Sequence, residues 1–112
     1  VRPPLLFLLA IVYTMRYPVF MHFEWDEAKN LLNFQKHGIW FEEAQTTWAD
    51  PAAEEVFDPD HSDDEDRFLR IGYSTKNRLL IVTFCEKRMN KIRIISARKV
   101  TPKEREDYEE GI

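Results

Sequence analysis

A single cysteine, Cys85, cannot close a disulfide within the chain. Its place in an apolar run marks it as a buried small hydrophobe, and its isolation favours a reducing, cytoplasmic setting. Glycine is scarce as well. Three glycines among 112 residues leave no glycine-rich phosphate loop, and with only six prolines there is no low-complexity linker. The chain has no zinc-ligand spacing, no serine-nucleophile motif and no internal repeat. The apolar run LLFLLAIV after Arg2 is too short to span a bilayer, and no small-x-small cleavage site follows it. Most enzyme classes therefore have no foothold.

What is present is a soluble globular composition, 44% hydrophobic and 32% charged, in a length that suits one domain. The formal net charge of -4 would argue against nucleic acid, but the charge is segregated. Asp50 to Asp66 holds nine acids and no cation, whereas Lys87 to Arg105 holds eight cations and one acid, Glu104. A chain acidic on average can still present a cationic face to phosphate.

Residues 1–20 differ from the rest and are expected to be an over-long start outside the functional domain, with Met21 as the first residue. A genuine ordered extension and a membrane or export signal are the other readings. Residues 21–112 then form one domain. His22 to Trp25 reads as a short extended segment, and Asp26 can cap a helix over Glu27 to His37. In that helix Ala28, Leu31, Leu32 and Phe34 recur at helical spacing, and Gly38 suits a left-handed terminus. A second helix of about ten residues, with Phe41, Ala44 and Trp48 on one face, stops at Asp50-Pro51.

Glu54 to Phe57 is a weak strand and Arg67 to Ser74 a stronger one. Leu79 to Phe84 and Lys91 to Arg98 read as a central hairpin joined by a polar turn over Glu86 to Asn90. Thr101-Pro102-Lys103-Glu104 is a capping box that opens a final helix. The fold class is α+β: a small antiparallel sheet with two N-terminal helices and a C-terminal helix, the helices covering one face.

The uncovered face would carry Arg67, Arg88, Arg93 and Arg98, whose guanidinium forks match phosphate oxygens. A flat strand puts Arg93 and Arg98 on opposite faces, so they share a site only if a bulge or the strand's end brings them round. Such arginines can equally pair with nearby carboxylates. His37 can act as a general acid or base, or as a cation at a helix C-terminus. Glu86 can take a proton or pair with Lys87, Arg88 or Arg98. The loop bearing Asp58, Asp60, His61, Asp63 and Asp64 raises a metal, but it lacks the spacing and glycine of an EF-hand, and a solvated loop is the favoured reading.

Five segments in order, FEWDEAKN, QKHGIWFEEA, DPDHSDDEDRFLRIGYS, RLLIVTF and RIISARKVTPKEREDYEE, resemble the BrnT family of type II toxin-antitoxin toxins. The resemblance covers Met21 to about Glu110. It implies a RelE-like ribonuclease fold, a toxin that cleaves RNA and stops translation, and a cognate antitoxin that neutralises it. Operator DNA would be contacted only indirectly, through that antitoxin.

The family's RIISAR motif falls on Arg93 to Arg98, its KHG on Lys36, His37 and Gly38, and its strand start on Asp66, Arg67 and Phe68. An arginine of the family's variable turn falls on Lys87 or Arg88. The implied catalytic set is Arg98, Arg93, Arg88, Glu86 and His37, with Arg67, Lys87, Lys91 and Ser96 binding RNA phosphate and no cofactor required. The competing readings are a non-catalytic RNA- or protein-binding module on the same basic face and, more remotely, a metal-dependent hydrolase built on the acidic loop.

Overall fold

The computed structural model describes residues 21–61, 65–88 and 90–111, and for His61 and Arg88 the backbone alone. Residues 1–20, expected to be an over-long start, lie outside the described residues, as do Asp63 and Asp64 of the acidic loop.

The central hairpin is built from β4 (Leu79–Arg88) and β5 (Lys91–Lys99). Both strands run longer than expected, so Glu86, Lys87 and Arg88 belong to the ladder rather than to the turn. Asn90 turns the chain with a positive φ of 64°, a conformation that asparagine tolerates. Outside this pair lie β3 (Arg67–Tyr73) and β2 (Glu54–Asp58), both antiparallel, and on the other flank β1 (His22–Glu24). The sheet order is β1-β5-β4-β3-β2. Contrary to the all-antiparallel expectation the sheet is mixed, because β1 runs parallel to β5. A three-residue strand carries no directional signal. Its direction follows from the helical crossover that carries the chain from one edge of the sheet to the other.

Two helical segments make that crossover. The first, α1 (Glu27–His37), is capped by the Asp26 carboxylate, which accepts from Lys29 N, and it closes at Gly38 with φ 73°. The second is shorter as an α-helix than expected: α2 (Phe41–Ala44) tightens at once into a 3₁₀ turn over Gln45–Ala49. The threonine hydroxyls favour the tightening, since Thr46 Oγ1 donates to Glu43 O and Thr47 Oγ1 to Ala44 O. The C-terminal α3 (Pro102–Glu110) carries the expected capping box between Thr101 and Glu104. Its Glu104 and Arg105, however, bond Arg98 and Tyr73 on the face away from the crossover, so the helices do not all cover one face as expected.

The core lies between the crossover and one face of the sheet, where Ile39, Phe41, Ala44 and Trp48 meet Leu80, Val82, Phe84, Ile92, Ile94 and Ala97. Trp48 packs edge-on to Phe84 at 4.9 Å and to Phe23 at 5.1 Å. The Arg70 guanidinium lies 4.7 Å over the Trp48 ring and donates Nε and Nη2 to Thr47 O, so this arginine is a core strut. Gly72 lets the Asp50–Ala53 turn approach β3, since a Cβ there would stand 2.7 Å from Ala53 Cβ.

The buried side of α1 reverses the reading of its sequence. Leu31, Leu32 and Phe34 are 49%, 62% and 38% exposed, and the residues facing inward are Asn30 and Asn33. Asn30 accepts from Phe41 N and donates to Glu42 Oε1. Asn33 accepts from Ala97 N and donates to both Ala97 O and Ile39 O, at 3.1, 2.8 and 2.9 Å. Its amide thus supplies the ladder bonds that β5 lacks beyond the end of β1. Removing it strands three buried backbone groups. Asn33→Ala should destabilise the protein by about 2–4 kcal/mol in urea unfolding, whereas Leu32→Ala, at an exposed position, should change stability by less than about 0.5 kcal/mol.

Candidate nucleic-acid interface

Side chains directly opposite one another in a ladder share a face, so the register sorts the charged residues. Thr83 pairs with Ser96, but Phe84 pairs with Ile94, which leaves Ile95 as an extra residue in β5. This bulge inverts the alternation. Arg98, opposite Ile81, and Arg93, opposite Cys85, consequently share the face away from α1 and α2, with Ser96 between them. Four residues of β4 separate their partners, roughly 13 Å of strand.

Around Arg93 the other cations gather. Arg67, one residue before the Phe68–Phe84 pair, comes level with Cys85 and sits opposite Asp58. Lys91 and Arg93 both reach Glu24, at 3.3 and 3.4 Å. Lys87 forms an ion pair with Glu65. That hydrogen bond raises the lysine's pKa and, as the largest influence, lowers that of the carboxylate. Burial chiefly raises the Cys85 thiol, so it stays protonated and unreactive. Of the two sequence readings of the arginines, carboxylate pairing is thus realised for Arg93.

Glu86 does not join them. It is exposed and opposite Ile92, on the other face of β4 from Arg93 and Arg98, because it is an even-numbered neighbour of buried Phe84 in an unbroken stretch of ladder. The Arg88 side chain lies outside what the structure describes.

Arg98 has a different neighbourhood. Nη1 and Nη2 donate to Glu104 Oε1 and Oε2 at 2.9 and 3.0 Å, and Nη1 also donates to Lys99 O at 3.2 Å. The Arg98 bond is the largest influence on Glu104, helped by the backbone bond from Thr101 N, and the carboxyl is held down to about 2.

His37 enters the same neighbourhood from the helix side. Asn33 clasps β5 at Ala97, the residue before Arg98, and His37 follows one helical turn later. Partial burial, then the Lys36 charge, then the Arg98 charge lower its pKa below 6.5. The imidazole is therefore neutral at neutral pH, and the Arg98 guanidinium contributes to holding it so.

Among the described residues no group of three His, Cys, Asp or Glu is arranged to hold a metal ion, and no helix is long and apolar enough to cross a membrane. Sequence reasoning missed Glu104 as a partner of the candidate arginine and Asn33 as the clasp that ties α1 to β5 beside it. Glu104 carried a signal, as the one acid in the cationic segment, but its capping role accounted for it.

Two titrations check this geometry. The His37 midpoint, followed by NMR, should lie below 6.5 and rise in Lys36→Gln while staying below 6.5, since burial persists. The Glu104 pair should contribute its full stability above about pH 4.5 and lose it as the pH falls towards 2, because the folded pKa is the lower one. Acid unfolding of Arg98→Gln should lack that component.

A family described as the ribonuclease toxin, BrnT, of type II toxin-antitoxin systems matches residues 25–104. The crystal structure of the Brucella abortus ribonuclease toxin, BrnT, superimposes with a TM-score of 0.56 at 25% identity, covering 72% of this chain and 97% of that one. No curated protein sequence matches the chain. The matched segment runs from Trp25 through both strands of the central hairpin to Glu104, taking in His37 and Arg98, and so this chain belongs to the BrnT family of ribonuclease toxins of type II toxin-antitoxin systems.

Proposed function

We propose that the protein is a toxin that cleaves RNA without a metal, thereby inhibits translation, and is neutralised in the cytoplasm by a cognate antitoxin, with operator DNA reached only through that antitoxin. The observation that carries the reading is Arg98, held by Glu104 on a face that also bears Arg67, Lys87, Lys91, Arg93 and Ser96, with His37 on the helix side within range of its charge. RNA brings its own nucleophile. The 2'-hydroxyl attacks the adjacent phosphorus as its proton passes to His37 Nε2 or Nδ1, the P–O5' bond breaks to leave a 2',3'-cyclic phosphate, and the departing 5'-oxygen takes a proton from water.

Arg98 stabilises the charge that accumulates on the phosphoryl oxygens, because its donors are already fixed before reaction. Arg93, with Arg67, Lys91 and Lys87 around it, lies too far along the strand for the same phosphate and engages the backbone on either side of the scissile bond. The RelE-like architecture and a role for Arg88 belong to the same reading. Glu86, on the opposite face, takes no part in proton transfer.

A second reading is favoured by the pairing of Lys87, Lys91 and Arg93 with Glu65 and Glu24. Charges already neutralised in this way suit a protein partner that rearranges them, as in a non-catalytic binding module. The two readings separate in one experiment: induced expression of the chain in bacteria, wild type beside Arg98→Ala, following growth and RNA integrity together. Growth arrest with shortened RNA in the wild type only is the expected result. Arrest by a folded Arg98→Ala protein would sink the assignment, and intact RNA that is merely bound and released steeply by salt would favour the binding module. Cleavage in vitro should persist in excess chelator. His37→Ala should slow it about 100-fold or more, the usual scale for loss of a general base.

A further inference from the structure

Arg98 presents two edges, and the structure uses them differently. The end edge, Nη1 with Nη2, is filled by the Glu104 carboxylate, and the second Nη1 hydrogen goes to Lys99 O. A guanidinium has five donor hydrogens in one plane. Three are thus committed, and the two that remain, on Nε and on Nη2, lie along the side edge and bond no other described residue. Two parallel N–H groups on one edge are a fork of the spacing that accepts two phosphate oxygens.

Glu104 is itself rigidly held. Its Oε1 also accepts from Thr101 N at 2.7 Å, and its own backbone N–H donates to Thr101 Oγ1 at 3.1 Å, so the carboxylate is locked into the first turn of α3. The plane of the Arg98 guanidinium is therefore set by the helix cap, while 40% of the arginine side chain remains open to solvent.

We propose that the Nε–Nη2 edge of Arg98 is the fork that grips the scissile phosphodiester, and that Glu104 is the positioning residue that fixes the plane of this fork by occupying the other edge. This rests on the ribonuclease reading above and specifies how its phosphate is held. Glu104 touches no substrate. It acts by removing the rotamer freedom that an exposed arginine would otherwise have to give up in the transition state. The capping box of α3 is thereby part of the site and not only a helix stop.

The test combines kinetics with one spectroscopic signal. Steady-state cleavage of RNA is measured for the wild type, Glu104→Gln, Glu104→Asp, Arg98→Ala, Arg98→Lys and the double variant Glu104→Gln/Arg98→Ala. In parallel, the Arg98 Nε–H signal is followed by NMR while a mixed-sequence oligonucleotide with methylated 2'-hydroxyls, which has no nucleophile, is added.

Glu104→Gln should lower kcat about 10- to 100-fold with little change in KM, the scale expected for a misplaced but present group. Arg98→Lys, which keeps the charge but cannot serve two edges, should be as inactive as Arg98→Ala. In the Arg98→Ala background, Glu104→Gln should have no further effect. The Nε–H signal should move on addition of the oligonucleotide in the wild type, which keeps the proposal testable even if a Glu104 variant does not fold.

A rise in kcat for Glu104→Gln would overturn the proposal, since it would make Glu104 a competitor of the phosphate. Equal losses in both backgrounds would overturn it too, as would active enzyme whose Nε–H signal ignores the oligonucleotide. A wild-type protein that cuts nothing yet shifts Nε–H would remove the ribonuclease reading and leave the phosphate fork standing. Neither cleavage nor a shift would remove both.

Discussion

The Asn33 side chain is the contact on which the arrangement depends. β1 is three residues long and leaves the edge of β5 opposite β4 without a strand from Ile94 onward, so the Ala97 N–H and C=O would have no strand to bond on that side. An amide side chain has the donor and acceptor geometry of a peptide group, and Asn33 takes the missing strand's place. A buried backbone pair left open would cost several kcal/mol, a large share of the stability of a small domain. The same contact anchors α1 by its last turn but one and so sets how near His37 comes to the Arg98 charge. Stability and site assembly share one side chain.

The second constraint is the extra residue at Ile95. A regular β5 would alternate Arg93 and Arg98 across the sheet, burying one guanidinium against the aromatic core or pushing the strand out of register. The bulge restores Ile92, Ile94 and Ala97 to the core face and returns both arginines to the open one. The face so formed is electrostatically mixed. Glu24 and Glu65 sit among its cations, and Glu104 sits on Arg98. Exposed pairs of this kind contribute little to stability individually, so the carboxylates are better understood as orienting the cations than as holding the fold together.

Much was legible in the chain. The hairpin strands, the Asp26 and Thr101 caps, the Gly38 terminus and the edges of β2 and β3 all carry short-range signals whose cause is local: a side chain bonding its own backbone, a left-handed residue, a run of β-branched side chains. The family resemblance pointed to Arg93, Arg98 and His37, and the bulge condition for uniting the arginines could be stated in advance. The inward face of α1 was misread for a physical reason. Helical periodicity locates apolar residues, and here the buried positions are polar because they bond to backbone, which leaves Leu31 and Leu32 outside.

What the sequence by itself determined are the properties that depend on neighbours within a few residues: element types, caps, the segregation of charge, and the family. Tertiary structure alone decided the rest: the parallel placement of β1, the face on which Glu86 stands, the Asn33 clasp, and the sharing of Glu104 between the α3 cap and Arg98. Each of these joins groups brought together by the route the backbone takes, or depends on the register between two strands. Register and route are global results of packing the core, and no single segment encodes them.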